Sequence, residues 1–308
     1  MYNGILVLDK IYGAPSRGCV TAVSKALGGR KQKIGHAGTL DTSASGTLVL
    51  LAGSATRLSE AVMNLPKSYL ARVTFGWETS TDDATGKPLS EPTPVFYDEA
   101  ALRGALPAFQ GVRLQTPPRV SAVKVDGTRA HKLARSGREP DIRPRPVNVT
   151  SIRYLGRDET GAASLLVRCH RGTYVRSLAR DLGRALGAGA HLSGLRRLCV
   201  GCYRAEEALP YNPQAPAGGA ELAGRIQSVE SLASQYYSYD ANAFCEKRLG
   251  NGLGVFVSFM RFRNPGVVPV DEGVMVVGKD CLCLGALRVE NDRAVVYPQA
   301  NIPKAVRL

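Results

Sequence analysis

The sequence predicts an α+β chain: helices and strands in one larger domain, an inserted basic arm, and a small β-rich domain at the carboxyl end. Three observations predict it. Apolar runs and two-residue alternation take turns with stretches of helical spacing along most of the chain. Between Arg119 and Arg145 eight Lys and Arg stand against only Asp126, Glu139 and Asp141, and beyond Tyr236 short alternating runs are separated by Gly, Asp and Asn. A length of 308 residues suits about two domains. The expected division is 1–235, with the arm inserted at about 119–147, and 236–308.

In order, Gly4-Ile-Leu-Val-Leu-Asp9 is a continuous apolar run, the pattern of a strand buried on both faces. Ser16 offers a helix cap, Val20, Val23 and Leu27 recur at helical spacing, and Gly28-Gly29 stops the pattern before Arg30, Lys31 and Lys33, cations suited to a helix end. A small-residue loop around Asp41 leads to the apolar run Leu48 to Leu51. Tyr69 to Phe75 alternates as a strand, Thr79 to Pro94 reads as an exposed connection, and Glu99 to Leu106 as a short helix. The arm carries Arg119, Lys124, Arg129, Lys132, Arg135, Arg138, Arg143 and Arg145, and its prolines argue against one long helix. It is either a solvated charged loop or a phosphate contact. Ser164 to Arg171 alternates again, and Val175, Leu178, Ala179, Leu182 and Leu186 form a helical stripe. Pro210 to Gly219 reads as a linker and Glu221 to Tyr236 as a helix. Short strands follow at Val255 to Phe259, Val274 to Val277, Cys281 to Val289 and Ala294 to Tyr297.

Composition narrows the function classes. Forty Lys and Arg against 26 Asp and Glu give a net charge of +14, the footprint of a protein that meets phosphates. No apolar run reaches the roughly 18 residues of a membrane span, and the amino terminus lacks a signal core, so a cytoplasmic protein is expected. The seven cysteines are scattered; Cys199-Val-Gly-Cys202 has no second ligand pair and Cys281-Leu-Cys283 is too tight for zinc, so buried free thiols are expected rather than a metal site. Gly250-Asn-Gly252-Leu-Gly254 has the wrong spacing for a dinucleotide loop.

Two groups stand out chemically. Asp41 is the one acid in the stretch Lys33 to Leu48, flanked by Gly35, Gly38, Ala44, Ser45 and Gly46, so a bulky ligand can approach it. Its carboxylate suits a nucleophile, a base, a cation partner, a metal ligand or the acceptor of an Asx-turn, and composition does not choose among them. Arg176, Arg180 and Arg184 fall at i, i+4 and i+8 on one helix face, and Arg176 sits in the first turn, where the helix dipole disfavours a cation. A partner anion or a surface salt bridge would offset that.

These residues fall into an ordered set that resembles a known family. Gly35-His36-Ala37-Gly38-Thr39-Leu40-Asp41, Ala44-Ser45-Gly46 and Gly53-Ser54-Ala55-Thr56-Arg57 closely resemble the signature of TruB-type tRNA pseudouridine synthases. Gly4 to Lys10 is similar to the family's opening strand, Lys67-Ser-Tyr69 to its active-site tyrosine strand, and Thr81-Asp-Asp83-Ala-Thr-Gly86 to the following turn. Ser121 to Gly127 resembles its thumb, and Gly172 to Arg176 with Ala190 to Arg197 its late core motifs. The chain departs from the family pattern at Ile11 to Ser16, at Thr42-Ser43 in place of Pro-Leu, and at Val120 in place of an aromatic.

The resemblance implies a mixed β-sheet pseudouridine synthase core flanked by helices, with a basic thumb and a PUA-like carboxyl-terminal domain. It implies isomerisation of the T-loop uridine of tRNA, position 55 in standard tRNA numbering, by base flipping and without a cofactor or metal. Asp41 is then the catalytic carboxylate, Tyr69 the stacking platform near the C5 proton, and Arg176 the partner of Asp41. Tyr174 and Leu195 wall the pocket, His36 fills the space left by the flipped base, and Lys10, Arg57, Lys67, Lys124, Arg180 and Arg184 meet the RNA. A monomer acting on the tRNA T-arm, away from membranes, is expected. The rivals are a tRNA-folding chaperone without catalysis and the same chemistry on another RNA. An aspartic hydrolase is rejected, because Asp41-Thr42-Ser43 lacks the glycine and a second copy of the motif.

Overall fold

The structure, a computed structural model, describes residues 1–93, 97–121, 123–125, 127–130, 133, 136, 141–264 and 273–306. Along the first half the elements are β1 (Gly4–Lys10), α1 (Ser16–Ala26), β2 (Ile34–His36), β3 (Ser45–Ala52), α2 (Ser59–Asn64), β4 (Lys67–Phe75), α3 (Glu99–Ala105), β5 (Gly111–Gln115), β6 (Lys124–Val125) and β7 (Thr128–Arg129). Then come β8 (Arg145–Arg157), β9 (Ala163–Cys169), α4 (Val175–Ala185), β10 (Ala190–Val200), β11 (Tyr203–Arg204), β12 (Leu209–Tyr211) and α5 (Gly219–Gly224). The carboxyl end holds β13 (Tyr237–Asp240), α6 (Ala243–Gly250), β14 (Val255–Phe256), β15 (Arg261–Phe262), β16 (Gly273–Val277), β17 (Cys281–Glu290) and β18 (Arg293–Pro303). Two compact units result: Met1–Leu65 with Cys199–Leu308, and Pro66–Leu198.

In the first unit β1 runs antiparallel to β3 and parallel to β12, and β2 pairs with β3, so the sheet is mixed. The unbroken apolar run of β1 has a direct cause. Leu6 and Leu8 join Cys19, Val23 and Leu27 of the α1 region on one face, while Ile5 and Val7 join Leu58, Val62 and Leu65 on the other. Gly4 is required: at φ +144° a Cβ would lie 2.3 Å from the Gln227 carbonyl oxygen. Met275, Leu282 and Ile302 belong to the same core as Ile5 and Val7. The carboxyl-terminal strands make a second sheet in the order β14-β18-β17-β16-β13-β15, with a smaller core of Cys245, Leu249, Val255, Val274, Val276, Cys283 and Val296. Asn291 and Asp292, both at positive φ, close the β17–β18 hairpin, as a two-residue turn that matches strand twist demands.

The second unit is an antiparallel sheet in which β4 lies between β10 and β9, followed by β8 and β5. Tyr69, Ala71, Val73 and Phe75 turn their faces to a core shared with Leu178, Ala179 and Leu182 of α4, as the alternation predicts. In the arm, β6 and β7 pair, and Val123, Ala130 and Ile142 form a small cluster with Val125 and Tyr174. Lys132, Arg135 and Arg138 lie outside the described residues, as do the side chains of Lys124 and Arg129.

Several expectations need correction. Ser16 does not cap α1, whose cap position is Pro15, and the helix ends at Ala26, leaving Arg30 and Lys31 in a separate short turn. The helix expected over Glu221 to Tyr236 breaks after Gly224, and Val229–Gln235 is a 3-10 turn. Pro210 sits in the short strand β12 rather than in a linker. Thr79, Asp82 and Asp83 are buried, so the first part of the stretch to Pro94 is an ordered turn and not an exposed connection. All seven cysteines are free thiols; Cys19, Cys169, Cys245 and Cys283 are buried, whereas Cys199, Cys202 and Cys281 are half-exposed. Among the described residues no helix is long and apolar enough to cross a membrane.

Candidate active site

The Asp41 loop connects β2 to β3 and is held from below by side chains of its own unit. Ser16 donates through Oγ to the Leu40 carbonyl at 2.6 Å and accepts from the Leu40 N–H at 3.0 Å. Lys10, fully buried at the end of β1, donates from Nζ to the carbonyls of Ala44 at 2.5 Å, Ala14 at 2.8 Å and Ile11 at 3.1 Å. Three carbonyls match the three donors of an ammonium. Gly13 N–H donates to the Thr42 carbonyl at 2.8 Å and Ala44 N–H to that of Asp41 at 3.1 Å, while Gly38 turns the chain at φ +101°. Leu40 is buried and Asp41 is half-buried, and the backbone is pinned on both sides of it. An internal role as the loop's staple therefore replaces the substrate contact expected of Lys10. His36 ends β2 opposite Leu50 and is half-buried, and Arg57 is exposed, donating to the Asn301 carbonyl at 3.4 Å.

The second unit carries the other candidates. Tyr69 and Lys67 lie two residues apart on β4 and so share a face; both are nearly buried. Burial, then the Arg197 guanidinium, pushes the Lys67 ammonium down to about 8. Leu195 is half-buried on β10 against the core. At the start of α4, Tyr174 is gripped by Gln115, whose side chain accepts from the Tyr174 N–H at 2.9 Å and donates to its carbonyl at 3.1 Å. Arg176 is buried and donates to the carbonyls of Thr81 and Val120, each at 3.2 Å, with Asp83 Oδ2 at 3.7 Å. Arg180 is also buried, paired with Asp82 at 2.7 Å and Asp181 at 2.8 Å and donating to the Thr116 carbonyl at 3.0 Å. Arg184 is exposed but bridged to Glu78 at 2.6 Å and 2.7 Å.

The helix face of arginines is thus real, but its first two members point into the unit. Arg180 in particular has its guanidinium engaged by carboxylates, so phosphate contact expected of it gives way to an internal ion pair.

The family model described as TruB family pseudouridylate synthase, N-terminal domain, matches residues 25–175, and that of the tRNA pseudouridylate synthase B C-terminal domain matches 176–212. The tRNA pseudouridine synthase B of Paracoccus denitrificans (strain Pd 1222) is 39% identical over 250 residues, covering 81% of this chain and 83% of that protein. That of Solibacter usitatus (strain Ellin6076) is 42% identical over 255 residues, 83% and 81% of the two chains. The chain belongs to the TruB family. It is a pseudouridine synthase, an isomerase. In fold it resembles the crystal structure of a Cbf5-Nop10-Gar1 complex, with a TM-score of 0.73 at 23% identity over 98% of this chain and 86% of that one.

For a TruB-family chain, the groups that hold these residues in place are the less legible ones: Gln115 and Ser177 carry no motif, and Ser16 reads only as a helix cap. Asp82 and Asp83 read as solvent-facing because they sit in a Thr- and Gly-rich turn; their signal was the pair of arginines spaced four residues apart that needs anions. Asp83 Oδ1 organises that turn, accepting from Thr81 Oγ1 at 2.7 Å and from the Thr85 N–H at 3.0 Å. Ser177 Oγ adds a bond to the Thr116 carbonyl at 2.9 Å.

Proposed function

We propose that this enzyme isomerises the T-loop uridine of tRNA, position 55 in standard tRNA numbering, using Asp41 as its catalytic carboxylate. The observation that carries the reading is the Asp41 loop itself: a half-buried aspartate on a backbone fixed by Lys10 and Ser16, in a chain about 40% identical to proteins named tRNA pseudouridine synthase B.

The target base lies inside a folded loop and must be flipped out, with stacking on Tyr69 offsetting the stacking lost. Asp41 attacks the nucleotide or assists cleavage of the N1–C1′ bond; the uracil turns while bound and rejoins through C5. The C5 proton, near which Tyr69 acts, leaves, and N1 ends protonated, so atoms balance without a donor, oxidant or cofactor. Arg176 holds the carboxylate ionised. Tyr174 and Leu195 wall the pocket and His36 fills the space left by the base. Arg57, Lys67, Lys124 and Arg184 contact the T-arm, positioning the RNA through its phosphates. Residues 1–235 carry the chemistry, with the arm at about 119–147, and 236–308 serve as a small RNA-binding domain. The enzyme acts as a cytoplasmic monomer.

Tritium release from tRNA carrying 5-tritiated uridine tests this. The wild type should release tritium, and Asp41→Ala should be slower by about 10²- to 10⁴-fold or more while still binding tRNA. Binding by both proteins without release by either would favour a tRNA chaperone; release from other RNAs but not from tRNA would move the substrate.

A further inference from the structure

Four of the chain's seven phenylalanines fall between residues 244 and 262. Phe75 and Phe109 are buried, as phenylalanine ordinarily is, but Phe244 is 57% and Phe259 54% exposed. Phe259 packs edge-to-face against Phe244 at 6.2 Å and against Phe256 at 5.9 Å, so the three rings form one connected strip. The strip ends in cations on both sides: the Arg248 guanidinium lies 5.9 Å from the Phe244 centroid and that of Arg293 5.8 Å from Phe256. Lys247 and Arg261 are exposed close by in sequence. Glu246, the acid of the same helix, is turned away, its carboxylate accepting from the N–H groups of Lys279 and Asp280.

An exposed aromatic strip of this kind marks an interaction surface. Flanking guanidiniums and a withdrawn acid favour an anionic partner, and the exposed Phe244 and Phe259 rings favour flat, unpaired bases. We propose that Phe244, Phe259 and Phe256, bracketed by Arg248 and Arg293, form a stacking surface for single-stranded RNA. The inference rests on the reading that residues 236–308 bind RNA, and it assigns that role to particular side chains. The rings hold unpaired bases by their faces and the two arginines hold the adjoining phosphates, so affinity is sequence-tolerant and selective for single strands over duplex.

The test uses the full chain and a fluorescein-labelled single-stranded RNA ten-mer, followed by anisotropy. Phe259→Ala should weaken binding about tenfold, and Phe259→Trp, which keeps a ring, should stay near wild type. An unlabelled duplex of the same length should compete poorly. Equal binding by wild type, Phe259→Ala and the double variant Phe244→Ala/Phe259→Ala would overturn the proposal, as would a duplex that competes as well as a single strand; a surface for a protein partner predicts that first result. Tritium release by the wild type in parallel separates the two failures. If the wild type releases no tritium, the functional reading fails; if it does and Phe259→Ala still binds the ten-mer unchanged, this inference alone fails.

Discussion

Lys67 shows how the burial of one residue couples stability to pH. Its ammonium is nearly buried and held at about 8 by desolvation and by repulsion from Arg197 and Arg171, against about 10.4 in an unfolded chain. Between those values the unfolded chain keeps the proton that the folded one has lost, so stability rises with pH across that window; below about pH 8 both states are protonated and the full cost is present. Lys67→Met should therefore stabilise the protein at pH 7 by on the order of 1–3 kcal/mol, with the gain fading by pH 10. Urea unfolding at the two pH values checks it, and an equal gain at both would remove the electrostatic explanation. If Lys67 also meets RNA phosphate, the same variant should bind tRNA more weakly. At this scale the sequence showed which groups could do chemistry, because a lone carboxylate among glycines and an arginine at a helix start are visible as letters. It hid what supports them. Lys10 is expected from the resemblance to meet the RNA, and nothing in Leu-Asp-Lys discloses three carbonyls converging on it from Ile11, Ala14 and Ala44.

The element that organises the second unit is α4. From one face of it, Ser177 and Arg180 reach Thr116, Arg176 reaches Val120, and Tyr174 is tied to Gln115, so the root of the basic arm is fastened along the helix. The same helix holds the turn at residues 79–86 through Asp82, which adopts the left-handed region at φ +60°. Burial raises the Asp82 carboxyl above its ordinary range, opposed chiefly by Arg180. Arg180→Ala leaves that acid buried without its main cation and should cost about 3–5 kcal/mol in urea unfolding. Adding Asp82→Asn, which tolerates the left-handed backbone and carries no charge, should recover much of the loss. No recovery would mean that the Thr116 bond, not the ion pair, is what matters. Strands with clean alternation, such as β4 and β9, were legible in the sequence; β8 was not. Its buried residues run Val147, Val149, then Ile152, Tyr154, because register shifts near Thr150 and Leu155 break the two-residue period. The turn was misread for a related reason, since acids in a glycine-rich segment look solvated until their distant arginines are known.

Across the whole chain, a net charge of +14 makes association with RNA depend on released counterions. If about five phosphates are neutralised, log K should fall with log salt with a slope near −4, so raising salt from about 50 to about 200 mM should weaken tRNA binding on the order of 10²-fold. Catalysis should respond differently. On the proposed mechanism Asp41 and Tyr69 act on a base once it is bound, so kcat at saturating tRNA should change little while KM rises with salt. Stacking on the Phe244 to Phe256 strip adds a term that salt barely screens, which leaves residual affinity at high salt that Phe259→Ala should remove. Filter binding and tritium release over the same salt series measure all three quantities together. A kcat that falls in step with affinity would mean that the salt-sensitive phosphate contacts also set the rate of the bound complex, whereas affinity that stays flat would exclude phosphate contact as the source of binding and leave the chain's positive charge without the role assigned to it.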